Sequence, residues 1–420
     1  MTGNSDRWAT HLSPSRRPIG GILMVFALAL GVRVAWALLA GRLDPFIRLN
    51  PLHGDAAAYD RIARNLMAGN GFAQQPGVPT AFWPPLYPTF LAVLYSIFGY
   101  NLLLARLAQA VLGAAAAAAT AQAVRSVLGR RAGLLTGLGM AFYPYLVYFE
   151  TWLIAESLYL FLLSLSVLAA ARLQKHATRR GFVALGLCLG LAALAKPAGL
   201  MLVPLLLLWL WVAPPARPTP ERVIQGILLL AVVAGTLAPW TVRNYLVFRS
   251  FVLVSTNDGY TFYGANNAQA FGGHREGFPS SLPGLSEPEE QQEYYRLGIE
   301  WIAGDPQGFA RLVVRKVGRL FSPLSVASWE HDYPLALSGP VRVVYTAFLT
   351  LALVGVLLSL RRWREMMVFY ALIVRVLVGA VVFYGDARYT LPMVPSLVAF
   401  ASLTLIALHD RLRRRRSEKA

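Results

Sequence analysis

Two carboxylates stand where apolar surroundings give an acid little reason to be. Asp55 follows the first membrane-length apolar stretch, in His53-Gly54-Asp55, and heads the run Ala56 to Met67. Glu156 lies within Leu153-Ile154-Ala155-Glu156-Ser157-Leu158. An Asp at a helix start caps backbone N–H groups, which stabilises by about 1 kcal/mol. It is alternatively a general base, which must reach the proton it removes from a hydroxyl. The two roles coexist only if one carboxylate oxygen stays free. An ionised side chain inside a span costs roughly 3 kcal/mol on insertion scales. Glu156 is therefore a catalytic candidate, against the plainer reading of a hydrogen-bonded helix-end carboxylate. Glu150 lies just outside that span, nearer water. Asp55 and Glu156 together are a candidate pair for a divalent cation, and His53 is a further ligand or a hydrogen-bond partner.

Cations complete the set. Lys196, Arg243 and Arg388 all fall at outward ends of apolar stretches. There they either anchor a span at the interface or hold a phosphate, arginine through its planar fork and lysine as a point charge. Arg33, Arg106 and Arg375 lie deeper and must pair or face a cavity. Tyr59, Trp83, Tyr87, Trp240 and Tyr389 gather near the same interface, as an aromatic belt or as stacking surfaces for sugar.

The elements that must position these residues are read from hydrophobicity. Of 420 residues, 56% are hydrophobic and 14% charged, against about 25% charged in a soluble domain. Apolar runs of membrane length recur, with none of the short alternation of a barrel, so the fold class is an all-α polytopic membrane protein. Ten spans are expected, at 19–40, 101–124, 132–149, 152–171, 181–196, 198–213, 223–240, 341–360, 366–384 and 389–408. Gly20 to Ala40 is long for a signal-peptide core and is interrupted by Arg33, so a retained span is expected.

The net charge of +18 is spread over inter-helix loops, which disfavours nucleic acid and fits a topology signal. Arg125, Arg130 and Arg131; Arg172, Lys175, Arg179 and Arg180; Arg217 and Arg222; Arg361, Arg362 and Arg364; and the tail Arg411 to Lys419 all fall on the side of the N-terminus. Both termini are expected in the cytoplasm, in the inner (plasma) membrane. The expected organisation is a cytoplasmic segment 1–18, a membrane module 19–240 with a first outer loop 41–100, a large outer loop 241–340, C-terminal spans 341–408 and a basic tail 409–420.

In the first outer loop, Tyr59, Ile62, Ala63, Leu66 and Met67 share one face of an interfacial helix over Asp55 to Met67, stopped by Gly69-Asn70-Gly71. Thr89 to Phe98 re-enters the interface. In the second, Phe309, Leu312, Val313, Val317, Leu320 and Phe321 form an apolar stripe accompanied by Arg311, Arg315, Lys316 and Arg319, as in a helix lying on anionic head groups. The single Cys188 excludes an intramolecular disulfide and a cysteine zinc site. No phosphate-binding glycine motif occurs, so no nucleotide cofactor is expected.

Taken in order, these residues resemble the GT-C glycosyltransferases, specifically the family-39 group of protein mannosyltransferases and the lipid A aminoarabinose transferase. The resemblance rests on Gly54-Asp55 with Tyr59, Asn65-Leu66, Gly69 and Gly71-Phe72, and on Pro84-Pro85-Leu86-Tyr87-Pro88. Further along it rests on Pro144 with Leu153-Ile154-Ala155-Glu156, Pro239-Trp240-Thr241-Val242-Arg243-Asn244-Tyr245, Ser255-Thr256-Asn257 and Asn266-Asn267. Asp305-Pro306 with Lys316, and Arg388-Tyr389 with Pro392, close the pattern. Ala56 follows Asp55, so the adjacent acidic pair of several members is absent.

What the resemblance implies is a GT-C bundle and a sugar donor carried on a polyprenyl phosphate in the membrane lipid. It implies an extracytoplasmic acceptor hydroxyl, Asp55 as catalytic base with Glu156 assisting, and Tyr59, Tyr87, Lys196, Arg243, Asn266, Arg388 and Tyr389 as substrate-binding candidates. A divalent metal on Asp55 and Glu156 belongs to the same expectation. A flippase for a lipid-linked sugar is the alternative; it would show paired half-repeats with broken spans near the midplane, and the sequence shows no such pairing. A non-catalytic assembly partner is a third.

Overall fold

The computed structural model describes residues 19–418 apart from 45–46, 49–50, 53, 214–217, 274–281 and 323–334. His53 therefore lies outside the described residues. In chain order the helices are α1 (Ile19–Leu43), α2 (Asp55–Met67), α3 (Leu86–Phe98), α4 (Leu102–Leu128), α5 (Arg130–Phe142), α6 (Pro144–Phe149), α7 (Glu156–Lys175) and α8 (Arg179–Ala195). There follow α9 (Leu202–Val212), α10 (Thr219–Phe248), α11 (Asn257–Ala265), α12 (Glu287–Gly304), α13 (Pro306–Leu320), α14 (Leu335–Ser359), α15 (Trp363–Val382) and α16 (Val394–Ser417). The protein is an all-α polytopic membrane protein, with one small exception. Pro76-Gly77, with Gly77 at φ 79°, turns a two-stranded antiparallel hairpin, β1 (Ala73–Gln75) on β2 (Val78–Pro79).

Helices occupy all ten apolar segments read from the sequence. Among the described residues, six stretches of continuous helix are by themselves long and apolar enough to cross a membrane: Gly20–Leu43, Leu102–Leu128, Glu156–Lys175, Thr219–Phe248, Arg342–Val382 and Arg388–Ser417. Two boundaries differ from expectation in ways that matter for the site. The segment expected at 132–149 breaks at Tyr143, which Pro144 holds in an extended conformation (φ −70°, ψ 113°). The span expected from 152 starts at Glu156, so that acid is the first residue of α7 rather than an interior one.

Small residues let the bundle close. Ala114, Ala116 and Ala117 of α4 are fully buried where that helix packs on α1, α5 and α7. A Cβ at Gly137 would meet the Val25 side chain at 2.7 Å, and one at Gly133 would meet the Ala121 carbonyl at 2.6 Å. This is the close backbone approach by which helices associate in lipid.

The basic loops gather at one end of the bundle. Arg362 Nη2 donates to Val127 O at 3.5 Å, Gln174 Nε2 to Glu365 O at 3.1 Å, and Arg131 lies 3.7 Å from Asp410. Glu156 starts the helix that ends at Lys175. At 1.5 Å per residue the acid therefore stands about 30 Å from that basic end.

Candidate active site

Gly54 creates the entry to α2. Its φ of 52° with ψ −121° is a conformation only glycine adopts without strain. Gly54, not Asp55, is the N-cap, and Asp55 is the first helical residue with no side-chain capping bond. Its carboxylate is turned instead toward the other end of the chain: Asp55 Oδ2 accepts from Arg388 Nη2 at 2.6 Å. Oδ1 takes no hydrogen bond among the described residues, and the side chain is 31% exposed.

Arg388 enters from the 3-10 turn Ala387–Met393 that leads into α16. Its Nε donates to Glu156 Oε1, so a single guanidinium bridges two carboxylates 101 positions apart in sequence (156 − 55). Lys196, where α8 gives way to the turn Pro197–Met201, donates to the same Glu156 oxygen at 2.6 Å. Asp55, Glu156, Lys196 and Arg388 thus form a charge-balanced quartet, with Glu156 buried and its Oε2 without a hydrogen-bond partner among the described residues. Tyr389 completes it: the Lys196 ammonium lies 5.8 Å from its ring centroid.

Aromatic packing fixes the quartet from behind. Tyr59, one helical turn after Asp55, is buried edge-on against Trp83 at 5.2 Å and Tyr87 at 5.1 Å. Burial, with Asp55 adding to it, pushes the Tyr59 phenol well above its ordinary range, so it stays protonated. Tyr87 is fully buried. Its hydroxyl donates to Gln109 Oε1 at 2.5 Å, and Gln109 Nε2 donates to Glu150 O and Trp152 O at 2.7 and 2.8 Å. Tyr87 therefore supports the site rather than facing it.

Two other candidates stand apart from the quartet. Arg243 spends its donors on backbone, Nη1 to Thr80 O at 2.9 Å and Nη2 to Phe72 O at 3.2 Å, with Trp240 under its guanidinium at 4.8 Å. Asn266 is fully buried. Its Nδ2 donates to Phe262 O and Val382 O, both at 2.8 Å, and its Oδ1 accepts from Lys316 Nζ at 2.8 Å. Each ties loops together.

Lys316 also corrects an expectation. It is fully buried and bonds Val381 O as well, so it pins α13 to the end of α15 instead of meeting lipid. Burial lowers its ammonium to about 8. Arg311 and Arg315 of the same helix are exposed.

The deeper charges find partners that sequence spacing hides. Arg33 is paired with Glu150, 117 positions away, and its guanidinium also reaches Ala141 O and Met140 O, each at 3.2 Å. Glu150 is thus buried, not water-facing. Arg106 Nε donates to Thr151 O at 3.0 Å, and Arg375 Nε to Ala198 O at 3.1 Å. Asp60, missed in the sequence, is fully buried and anchors α2 to α3 through Tyr95 Oη at 3.0 Å. An acid on the apolar face of an amphipathic helix was the signal for it.

The arrangement does not fit the expected divalent cation. Such an ion takes about six oxygen ligands. Here the seat between the two carboxylates is filled by the Arg388 guanidinium, and no group of three His, Cys, Asp or Glu side chains among the described residues could hold a metal.

The fold is shared with solved oligosaccharyltransferase structures. Two solved structures of the oligosaccharyltransferase of Archaeoglobus fulgidus carry the likeness. The apo form covers 97% of this chain at a TM-score of 0.58 and 15% identity. The enzyme named AglB, in complex with an inhibitory peptide and a dolichol-phosphate, covers 96% at a TM-score of 0.58 and 17% identity. This chain spans about half the length of those proteins, 52% of each. ArnT from Cupriavidus metallidurans aligns over 92% of this chain and 78% of its own at 17% identity, with a TM-score of 0.43 too low to carry weight.

The model of the dolichyl-phosphate-mannose-protein mannosyltransferase family matches residues 83–242, which hold Glu156 and Lys196 but neither Asp55 nor Arg388. No curated protein matches the chain.

Proposed function

We propose that this protein is a membrane glycosyltransferase that moves a hexosyl or pentosyl unit from a polyprenyl-phosphate donor to a hydroxyl of an extracytoplasmic acceptor, with inversion. The observation that carries the reading is the partly exposed end of the quartet: among the described residues, one Asp55 oxygen takes no hydrogen bond while Arg388 holds the other. The fold shared with an enzyme captured with a dolichol-phosphate, and the family match over residues 83–242, support a lipid-phosphate donor.

In this mechanism the donor phosphate seats against Lys196 and Arg388. The arriving phosphodiester monoanion competes with Asp55 for Nη2 of Arg388, so the act that binds the donor also frees the base. Asp55 takes the acceptor's hydroxyl proton, and that oxygen attacks the anomeric carbon opposite the phosphate. The new C–O bond forms as the sugar–phosphate bond breaks, and the phosphate leaves with its charge met by the two cations, which removes the need for a general acid. Glu156 touches no reacting atom; it orients Lys196 and Arg388. No step is routed through a metal.

The basic loops at the far end of the bundle support cytoplasmic termini with the quartet on the outer side of the inner membrane. They also support outer segments at 41–100 and 241–340 between a membrane module and C-terminal spans. The test is purified protein in sealed vesicles given radiolabelled undecaprenyl-phosphate hexoses and pentoses with envelope extract outside. Transfer of label into the extract is expected. Movement of intact donor between leaflets with no transfer would replace the reading with a flippase.

A further inference from the structure

The stretch Thr80-Ala81-Phe82-Trp83 joins the β-hairpin to the proline-rich turn, and Thr80 and Ala81 are buried. Buried backbone and hydroxyl groups need partners, and these find theirs in the second outer segment, about 200 residues on. Glu287, the first residue of α12, accepts from Thr80 Oγ1 at 2.6 Å through Oε1 and from Ala81 N at 2.8 Å through Oε2. The same Oε2 accepts from Thr256 Oγ1 at 3.3 Å, and Thr256 N donates to Ala81 O at 2.9 Å. Arg243 grips the stretch from its other side through Thr80 O and Phe72 O. One carboxylate thus clasps three donors from two segments, and a charged acceptor makes each bond stronger than its neutral counterpart.

The clasped stretch ends in Trp83, whose ring packs on Tyr59, and Tyr59 stands one turn from Asp55 on α2. We propose that Glu287 is a positioning residue for the base: it locks the second outer segment onto residues 80–83 and thereby holds the α2 end of the site in register with Arg388. The proposal rests on the role given to Asp55 above. Glu287 itself touches no substrate. Its contribution is alignment, and a displacement of about 1 Å in a reacting group lowers turnover by up to about 100-fold.

The test uses the full-length protein in lipid nanodiscs, with amide hydrogen exchange over residues 72–83 as a readout independent of activity. In Glu287→Ala, exchange of that stretch rises by about tenfold or more, kcat falls by about tenfold or more, and the donor KM stays within about twofold. The Thr80→Val/Glu287→Ala double variant is no slower than Glu287→Ala alone, because the bond is already gone. Glu289→Ala serves as the control. Glu289 receives both N and Oγ of Ser286 at the start of the same helix, so its loss loosens that helix end without touching the clasp, and wild-type exchange and turnover are expected.

Unchanged exchange in Glu287→Ala overturns the proposal. So does faster exchange with wild-type kcat, or a Glu289→Ala variant that copies Glu287→Ala. Should Glu287→Ala fail to fold, Glu287→Asp answers the same comparisons, since a carboxylate one methylene shorter cannot reach Thr80 Oγ1 and Ala81 N together. Full activity in Asp55→Asn would sink the base assignment while leaving the exchange result as measured, so the two failures are distinguishable.

Discussion

Arg388 is the residue on which the site turns, because one planar cation satisfies two acids at once. Lysine cannot span both carboxylates. Arg388→Lys is therefore expected to lose transfer nearly as completely as Arg388→Ala, by about 100-fold in kcat/KM; wild-type activity in the lysine variant would show that the bridge is dispensable. Glu156→Gln leaves Lys196 and Arg388 facing each other without their shared counter-ion. Breaking a buried pair in this way destabilises by about 3 kcal/mol, so a fall in thermal midpoint should accompany the loss of turnover. A variant with unchanged stability would place Glu156 nearer water than its burial indicates.

A different acid tests burial alone. Asp258 in α11 is pushed up to about 7 by burial, so the fold binds its proton more tightly than the unfolded chain, whose carboxyl titrates near 3.8. Stability from this group accordingly falls as pH rises from about 4 to about 7 and is level above that. Asp258→Asn should melt higher than wild type at pH 8, with the gap closing toward pH 4. A gap of the same size at both pH values would contradict the shift.

Helix ends and crossings determine which of these side chains meet, and here the sequence was partly legible. Asp55, Lys196 and Arg388 were readable as charges at the edges of apolar runs and Glu156 as a charge inside one, and the structure brings those four together. Arg243 carries the same kind of signal, yet its guanidinium turns to backbone carbonyls. Sequence pattern places a residue at a helix end without saying which way it faces. Glu150 was misread for a related reason. Pro144 breaks the preceding helix, and the short α6 carries the acid back under Arg33, a partner invisible at such a separation.

That pair constrains its neighbours. A Cβ on Gly113 would collide with the Glu150 carboxylate, which Arg33 holds in place. Gly113→Ala is thus expected to cost about 2 kcal/mol by overpacking, seen as a lower melting temperature of the detergent-extracted protein. A melting temperature equal to wild type would mean that the carboxylate moves aside.

At the scale of the whole molecule, a bundle has basic loops at one end and a charge-balanced quartet at the other, and under the proposed function the quartet is where a lipid-borne donor and an aqueous acceptor meet. Composition and span spacing made the bundle readable, since lipid leaves the backbone few choices. The small hairpin and the clasp between the outer segments were not readable, because both depend on which loop lies against which.

The measurement that bears most directly on this account is single-turnover transfer by Asp55→Asn in vesicles, with donor binding measured on the same preparation. Donor binding is expected to stay within a few-fold of wild type while the transfer step slows by about 1000-fold, the middle of the range a lost base removes. Transfer at the wild-type rate by the folded, donor-binding variant would contradict it.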